Sequence, residues 1–128
     1  MSPVDDEATQ AALTALIAKI NRAAEIIAGT SAHIVQQLGM ERTHVITGTL
    51  RRSWRVVGPE GGDGVYRAAV GPTMIYARRQ ELGFVGPDSL GRVFKNDPGW
   101  PYVRPAREAA QVPVQQLAVT TLRAAIGA

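Results

Sequence analysis

Few side chains in this sequence have the type and spacing that chemistry requires. The two histidines, His33 and His44, fall in separate predicted elements, and no cysteine is present. The lack of cysteine excludes a disulfide framework, a thiolate metal site and a cysteine nucleophile. Ser53 has no histidine at a suggestive spacing, and the glycine-rich segment 58–64 lacks the spacing of a phosphate-binding loop. We therefore expect a protein that is not an enzyme and that uses no cofactor or metal ion.

The charged side chains are unevenly distributed along the 128 residues. Residues 1–39 contain four acidic and two basic side chains, whereas residues 40–128 contain twelve basic and seven acidic ones, and eleven of the twelve are arginines. Arginine forms fixed bidentate contacts with carboxylates and phosphates. This pattern fits either subunit interfaces rich in ion pairs or a nucleic-acid surface, and an ordinary solvated face remains open.

The charged residues that could form such a surface lie close together in sequence. They are Arg51, Arg52, Arg55, Arg78, Arg79 and Glu81. A patch made by the first three would neutralise phosphates and bind nucleic acid in a salt-dependent manner. A stand-alone nucleic-acid-binding module is therefore the alternative hypothesis. The neighbouring aromatic residues, Trp54 and Tyr76, have strand or core positions, which weighs against it.

The length and the residue patterns of the chain predict an α+β fold in a single domain, 1–128, whose helices and strands position these side chains. Residues 1–39 form a long N-terminal helix, because apolar residues recur from Leu13 to Leu38 at spacings of three and four. We expect it to end at Gly39 and to kink or break near Gly29. Part of its apolar stripe is expected to meet another subunit.

Residues 47–83 form the predicted core, an antiparallel hairpin followed by a short crossing helix. The strands are 54–57 and 65–70, and the glycine- and proline-rich segment 58–64 is the turn between them. The helix covers 73–82. Residues 84–100 read as a long loop, in which Val93-Phe94 could be a brief strand. The C-terminal helix covers 105–127, begins at Pro105 and is expected to kink before Pro113. No apolar run is long enough to cross a membrane.

Four short motifs in this order resemble a known family. The first is Thr47-Gly48-x-Leu50-x-x-Ser53, and the second is Val70-Gly71 at a strand end. The third is Tyr76-Ala77 followed by Glu81-x-Gly83, and the fourth is the segment 101–106, Pro-Tyr-Val-Arg-Pro-Ala. Together they resemble the tail-completion or neck proteins of long-tailed bacteriophages, from about Asp5 to the C-terminus.

The resemblance implies a structural virion protein that is made in the bacterial host cytoplasm. Such proteins form rings, commonly hexameric, at the head–tail junction, where they join or terminate the tail tube while DNA passes through the lumen. The implied partners are further copies of the chain, head-completion or connector proteins and the tail tube protein. Neck, tail-completion and tail-terminator roles remain open.

The ring implied by the resemblance gives the candidate residues an expected role. Arg51, Arg52 and Arg55 would meet acidic groups of a neighbour or line the lumen. Glu81 would pair with Arg78 in the same subunit or with a neighbour's arginine. The loop 84–100 would reach the next ring through Phe94, Lys95 and Trp100.

Overall fold

The computed structural model describes residues 6–43, 48–74, 77–82, 84–87, 93–96, 99 and 101–127, excluding the side chains of residues 79, 80, 84–87 and 93–96. The elements in chain order are α1 (Glu7–Arg42), α2 (Thr49–Arg52), β1 (Trp54–Gly62), β2 (Val65–Pro72), α3 (Ala77–Leu82), β3 (Phe84–Pro87), β4 (Val93–Asn96) and α4 (Val103–Ile126). The predicted α+β fold, with its long N-terminal helix, antiparallel hairpin, short helix and C-terminal helix, is confirmed.

Helix α1 is more regular than the sequence pattern predicted and ends three residues later. The carboxylate of Asp6 accepts the N–H of Ala8 at 3.0 Å and caps its first turn. The helix is continuous through Gly29, so the predicted break there is wrong. It also runs past Gly39 to Arg42, where the N–H of Thr43 bonds to the Gly39 carbonyl at 2.9 Å. Gly39 is buried within the helix because the indole of Trp54 lies directly against it.

Helix α4 packs along the C-terminal two thirds of α1. Ala23 and Thr121 line one cavity between the two helices, and Ala32 and Ala110 line another, so the helices are antiparallel. Helix α4 begins at Val103, two residues before the predicted start. Pro105 is its third residue, still within the first turn, where a missing N–H removes no intrahelical bond. Pro113 lies inside one continuous helix.

The β1–β2 hairpin covers another side of α1. Its register runs from Trp54 opposite Pro72 to Gly62 opposite Val65, with an irregularity between Val57 and Glu60. The predicted turn over 58–64 is therefore too long, and the turn itself is Asp63-Gly64, both with positive φ. Pairing resumes after a bulge, because glycine tolerates the positive φ that such a bulge requires.

The segment 84–100, predicted as a loop, contains a second antiparallel hairpin. Strands β3 and β4 pair with Phe84 opposite Asn96 and Pro87 opposite Val93. The brief strand expected at Val93-Phe94 is the beginning of β4. Strands of four residues are too short to show a clear alternation of apolar and polar side chains, which is why the sequence pattern did not reveal the pairing.

A small core joins the ends of these elements. It contains Leu50, Trp54, Ala77 and Tyr102, and Trp54 and Tyr102 are each only 1% exposed. Their rings meet edge to face, with centroids 6.1 Å apart. The indole N–H of Trp54 donates to the Thr43 hydroxyl at 2.9 Å, and the Tyr102 hydroxyl donates to the Ala77 carbonyl at 2.9 Å. Both buried polar groups are thus satisfied.

Candidate functional site

The first sequence motif is a structural brace between α2 and the end of β2. Gly48 precedes α2 with a φ of 81°, and Leu50 is buried in the core. The buried Ser53 hydroxyl donates to the Leu50 carbonyl at 2.7 Å, and its oxygen accepts the Thr73 N–H at 3.2 Å. Thr73 in turn donates its hydroxyl proton to the Ser53 carbonyl at 2.8 Å. Thr47 lies outside the described residues. Ser53 therefore holds backbone in place, which explains the motif without catalysis.

The predicted arginine cluster is exposed on the surface beside this brace. Arg51 and Arg52 lie on α2, and Arg55 follows at the start of β1. The Arg55 guanidinium turns back and donates to the carbonyls of Arg52, at 2.7 Å, and Trp54, at 2.9 Å. Among the described residues, none of the three lies within 4 Å of a carboxylate. The positive charge of this patch is therefore available to an external anionic group.

Glu81 has a role that the sequence did not indicate. Its carboxylate accepts three consecutive N–H groups at the start of α4, those of Tyr102 at 2.6 Å, Val103 at 2.9 Å and Arg104 at 3.0 Å. A helix start leaves such donors without intrahelical partners and carries partial positive charge. Within the described residues, Glu81 forms no salt bridge with Arg78. The pairing predicted within the subunit is therefore replaced by a helix cap from α3.

This cap shifts the ionisation of Glu81. Partial burial raises the pKa of the carboxyl, but the three backbone N–H groups and the nearby Arg104 guanidinium together lower it by more. The result is a pKa below its ordinary value, because each N–H stabilises the ionised form. Glu81 therefore remains charged and engaged across the neutral range.

A groove beside this cap gathers three arginines around apolar side chains. It lies between the end of β2, α3 and the first turns of α4, and its volume is about 370 Å³. We call it the arginine groove; the residues that define it are Pro72, Arg78, Leu82, Val103, Arg104 and Arg107. Leu82 is 58% exposed there. Arg107 also lines an adjoining cleft of about 590 Å³, which reaches Arg67 on β2.

The arginine groove has excess positive charge. Arg104 interacts favourably with Glu81, whose carboxylate is already held by the backbone. Among the described residues, neither Arg78 nor Arg107 lies within 4 Å of a carboxylate. The groove thus offers apolar surface flanked by guanidinium groups, a combination that suits an acidic and partly apolar ligand.

The N-terminal part of α1 extends beyond the rest of the described structure. We call residues 7–20 the α1 arm, which is about 21 Å long at 1.5 Å per residue. Every residue from 10 to 20 is exposed. Four large apolar side chains form a stripe on one face at positions i, i+3, i+4 and i+7: Leu13, Leu16, Ile17 and Ile20.

This stripe continues the face of α1 that packs against α4 further along the helix. By helical periodicity, Ile27, Ile34 and Leu38 lie on the same face, and all three are partly buried. The C-terminal end of α4 lies beside the segment from Lys19 to Ile26, so its cover ends within the last turn of the arm. The sequence predicts that part of the stripe meets another subunit; the large apolar side chains of the arm are exposed, and the contact itself stays a prediction.

The structure brings some predicted site residues together and leaves others outside. Arg78 joins Arg104 and Arg107, two arginines that were not predicted to belong to the site; their spacing of three residues on one helix was the available signal. Phe94 and Lys95 lie on β4, but the structure does not describe their side chains or that of Arg79. Three further residues lie wholly outside the described part of the chain: Trp100, Tyr76 and Gly83.

The described residues show neither a metal-ligand cluster nor a membrane-spanning helix. They contain no group of three or more histidine, cysteine, aspartate or glutamate side chains placed to hold a metal ion. None of their helices is both long and apolar enough to cross a membrane.

Comparison with known proteins gives one match. The family model HK97-gp10_like, described as "Bacteriophage HK97-gp10, putative tail-component", matches residues 3–83, more than half of the chain. This range contains α1, the first hairpin and α3, and therefore the first three motifs; the fourth motif and α4 lie beyond it. No curated protein and no solved structure matches.

Proposed function

The chain belongs to the HK97-gp10-like family of bacteriophage tail components, and we propose that it forms a homo-oligomeric ring at the head–tail junction of a long-tailed phage particle. In this proposal one domain of 128 residues is the subunit, six copies close the ring, and the ring joins or terminates the tail tube. DNA passes through the lumen without sequence-specific contacts. The protein is a structural component and not an enzyme.

The α1 arm is the observation that supports an assembly role most directly. Its four large apolar side chains are exposed on a helix that α4 and the first hairpin cover only from about residue 19 onward. Contiguous apolar surface of this kind marks an interaction site. A protein that acted alone would gain nothing from a projecting helix with an uncovered apolar face.

The charged patches fit contacts between unlike surfaces. A head-to-tail ring requires two different surfaces on each subunit, one for each neighbour. In the proposal, Arg51 and Arg52 meet acidic groups of a neighbour or line the lumen, where arginines would face the DNA phosphates. Arg55 has a smaller part in this contact, because its guanidinium already bonds to backbone carbonyls.

The segment 84–100 is proposed to reach the next ring. Its β3–β4 hairpin would carry Phe94 and Lys95 to that contact, and Trp100, which lies outside the described residues, is the third residue proposed for it. Head-completion or connector proteins on one side and the tail tube protein on the other are the proposed partners. The virion is accordingly the proposed location.

A stand-alone nucleic-acid-binding module is the second candidate, because Arg51, Arg52 and Arg55 form an exposed basic patch. Single-strand binding of this kind usually adds aromatic side chains on which bases stack. Trp54, the aromatic residue within the patch sequence, is buried and cannot serve in this way. The ring proposal is therefore preferred.

The mass of the protein in solution, alone and with tail tube protein, tests the proposal. We expect a ring-sized species of about six subunits under at least one of these conditions. Arg51→Glu combined with Arg52→Glu should leave the monomer folded but block ring formation, whereas Arg123→Glu, an exposed arginine at the far end of α4, should not. A strict monomer that ignores the tube and binds DNA with a steep salt dependence would favour the second candidate.

A further inference from the structure

We propose that the α1 arm of one copy docks into the arginine groove of the next copy. This inference rests on the ring proposed above and adds the two surfaces that meet. The contact is heterologous, since the arm and the groove are different parts of the chain, and repetition of such a contact closes a ring when the rotation allows it.

The first argument is charge complementarity. The arm begins with Glu7 and is preceded by its capping residue Asp6, and neither acidic residue has a basic side chain within 4 Å among the described residues. The groove presents Arg78 and Arg107 without a carboxylate partner in the same part of the structure. The acidic start of the arm is therefore complementary to these two guanidinium groups. Guanidinium–carboxylate bonds are among the stronger hydrogen bonds available to such an interface.

The second argument is the apolar content of both surfaces. The arm exposes a stripe in which Ile17 is 59% exposed, and the groove exposes Leu82 to a similar extent, 58%. A DNA backbone in the groove would satisfy the arginines but would leave both apolar surfaces in water. A helix with an apolar stripe and an acidic start satisfies the arginines and covers Leu82 at once. The groove is therefore assigned to protein and not to nucleic acid.

The third argument is shape. Arg107 lines both the groove and the larger cleft beside β2, and that cleft is lined mainly by small apolar side chains such as Ala68 and Ala110. Small side chains allow a helix to approach closely, and the arginines at the edge remain free to bond. The arm spans roughly three or four helical turns, and a short isolated pocket would be too small to bury its apolar stripe.

Substitutions on each surface test the contact, and each has a control at an exposed position outside it. Ile17→Glu on the stripe and Leu82→Glu in the groove should each raise the protein concentration needed for half-assembly about tenfold or more. Ala18→Glu, on the opposite face of the arm, and Val65→Glu, an equally exposed residue at the hairpin end, should change it little. Glu7→Arg should weaken assembly, and Arg107→Glu in the same chain should restore part of it.

Cross-linking identifies the partner surface directly, because the natural chain has no cysteine. Leu13→Cys and Leu82→Cys are introduced together, the ring is first confirmed by its mass, and a short bismaleimide reagent is added. A ladder of covalent oligomers ending at the ring size is the expected result. The single Leu13→Cys variant should give no covalent dimer.

The other outcomes separate this inference from the ring proposal. A ring of normal mass without the ladder, or dimers of Leu13→Cys alone, would overturn the arm-in-groove contact and leave the ring standing. Loss of the ladder when short DNA is added, with release of monomers, would assign the groove to nucleic acid. Absence of any oligomer, with or without tail tube protein, would overturn both.

Discussion

Two residues of this protein, Glu81 and Gly39, make structural contacts that the sequence pattern did not predict. The sequence predicts Glu81 as a member of a charged surface, but the residue caps α4 by accepting three backbone N–H groups. The sequence predicts Gly39 as a helix end, but the residue lies inside α1, where Trp54 packs against the helix backbone. Both residues connect elements that are far apart in sequence, and the effect of replacing each one can be predicted.

Replacing Glu81 should destabilise the fold and change its dependence on pH. Glu81→Gln should lower the free energy of unfolding at pH 7 by about 1–2 kcal/mol, the usual effect of losing a helix cap. The folded-state pKa is lowered, so the stabilisation is complete above the ordinary value of 4.5 and is lost as pH falls through the lower folded-state value. Urea unfolding between pH 7 and pH 3 should therefore show the wild type converging on the variant at the acidic end.

An equal stability of wild type and Glu81→Gln at pH 7 would contradict the cap. Glu60→Gln serves as the control, because Glu60 is exposed on β1 and bonds to no helix start in the described part of the chain. Its effect should stay within about 0.5 kcal/mol, as is usual for surface substitutions.

Adding a methyl group at Gly39 should disturb the core. A Cβ there would overlap the six-membered ring of Trp54, so Gly39→Ala should destabilise the protein by about 1–3 kcal/mol despite the better helix propensity of alanine. Gly29→Ala is the matched control in the same helix, because its Cβ would lie 3.3 Å from the Pro59 ring, which a small shift relieves. Thermal unfolding of both variants measures the difference, and equal melting temperatures would contradict the assigned packing.

At the scale of elements, the two long helices have different relations to the rest of the chain. Helix α4 lies along α1 and begins at a cap supplied by α3. Helix α1 is covered by α4 and by the first hairpin, whose turn at Gly64 reaches Asn21. The α1 arm lies almost entirely N-terminal to this cover, and only its last turn lies beside the end of α4. Its helical conformation is therefore supported mainly by its own cap and, in the proposed assembly, by a neighbour.

Pro113 should destabilise α4, because it lies in the interior of that helix. As an interior helix residue it removes one backbone bond, so Pro113→Ala should raise the free energy of unfolding by up to about 3 kcal/mol. Pro105→Ala should change it far less, because residue 105 lies in the first turn. Urea unfolding compares the two. A destabilised Pro113→Ala variant would show instead that the proline's packing beside Ile34 and Leu38 matters more than the lost bond.

At the scale of the whole molecule, charge and apolar surface are arranged for association. The acidic start of α1 lies at the free end of the arm, whereas the exposed arginines of α2, α3 and early α4 surround the opposite end of that helix and the core. A subunit with unlike ends can bind copies of itself head to tail without pairing like charges. This polarity is the main reason why we place the arm of one copy against the arginines of another.

Assembly of the ring should therefore weaken with salt. Between 0.1 M and 1 M NaCl the Debye length falls from about 10 Å to about 3 Å, so contacts between exposed arginines and carboxylates are screened. Light scattering should show the concentration for half-assembly rising several-fold. The unfolding free energy of the monomer should change little, since its described residues contain one ion pair within 4 Å, Glu41–Arg42. Assembly that strengthens with salt would indicate a purely apolar interface.

The sequence by itself determined the type and order of the main elements. Regular spacing of apolar residues identified α1 and α4, and glycine and proline marked the first hairpin, because these signals depend on local backbone geometry. The order of short motifs also indicated the family, which the match to residues 3–83 confirms. The absence of paired chemical groups argued against catalysis for the same local reason.

Only the tertiary structure decided which surfaces those elements leave open. Three features depend on contacts between residues more than twenty positions apart. They are the point at which α4 ends along α1, the grouping of Arg104 and Arg107 with Arg78, and the contact of Glu81 with the start of α4. The β3–β4 pairing could not be predicted from the sequence, because strands of four residues are too short to show a regular alternation of apolar and polar side chains. Local patterns record which face of a helix is apolar; the packing of distant elements determines whether that face is covered.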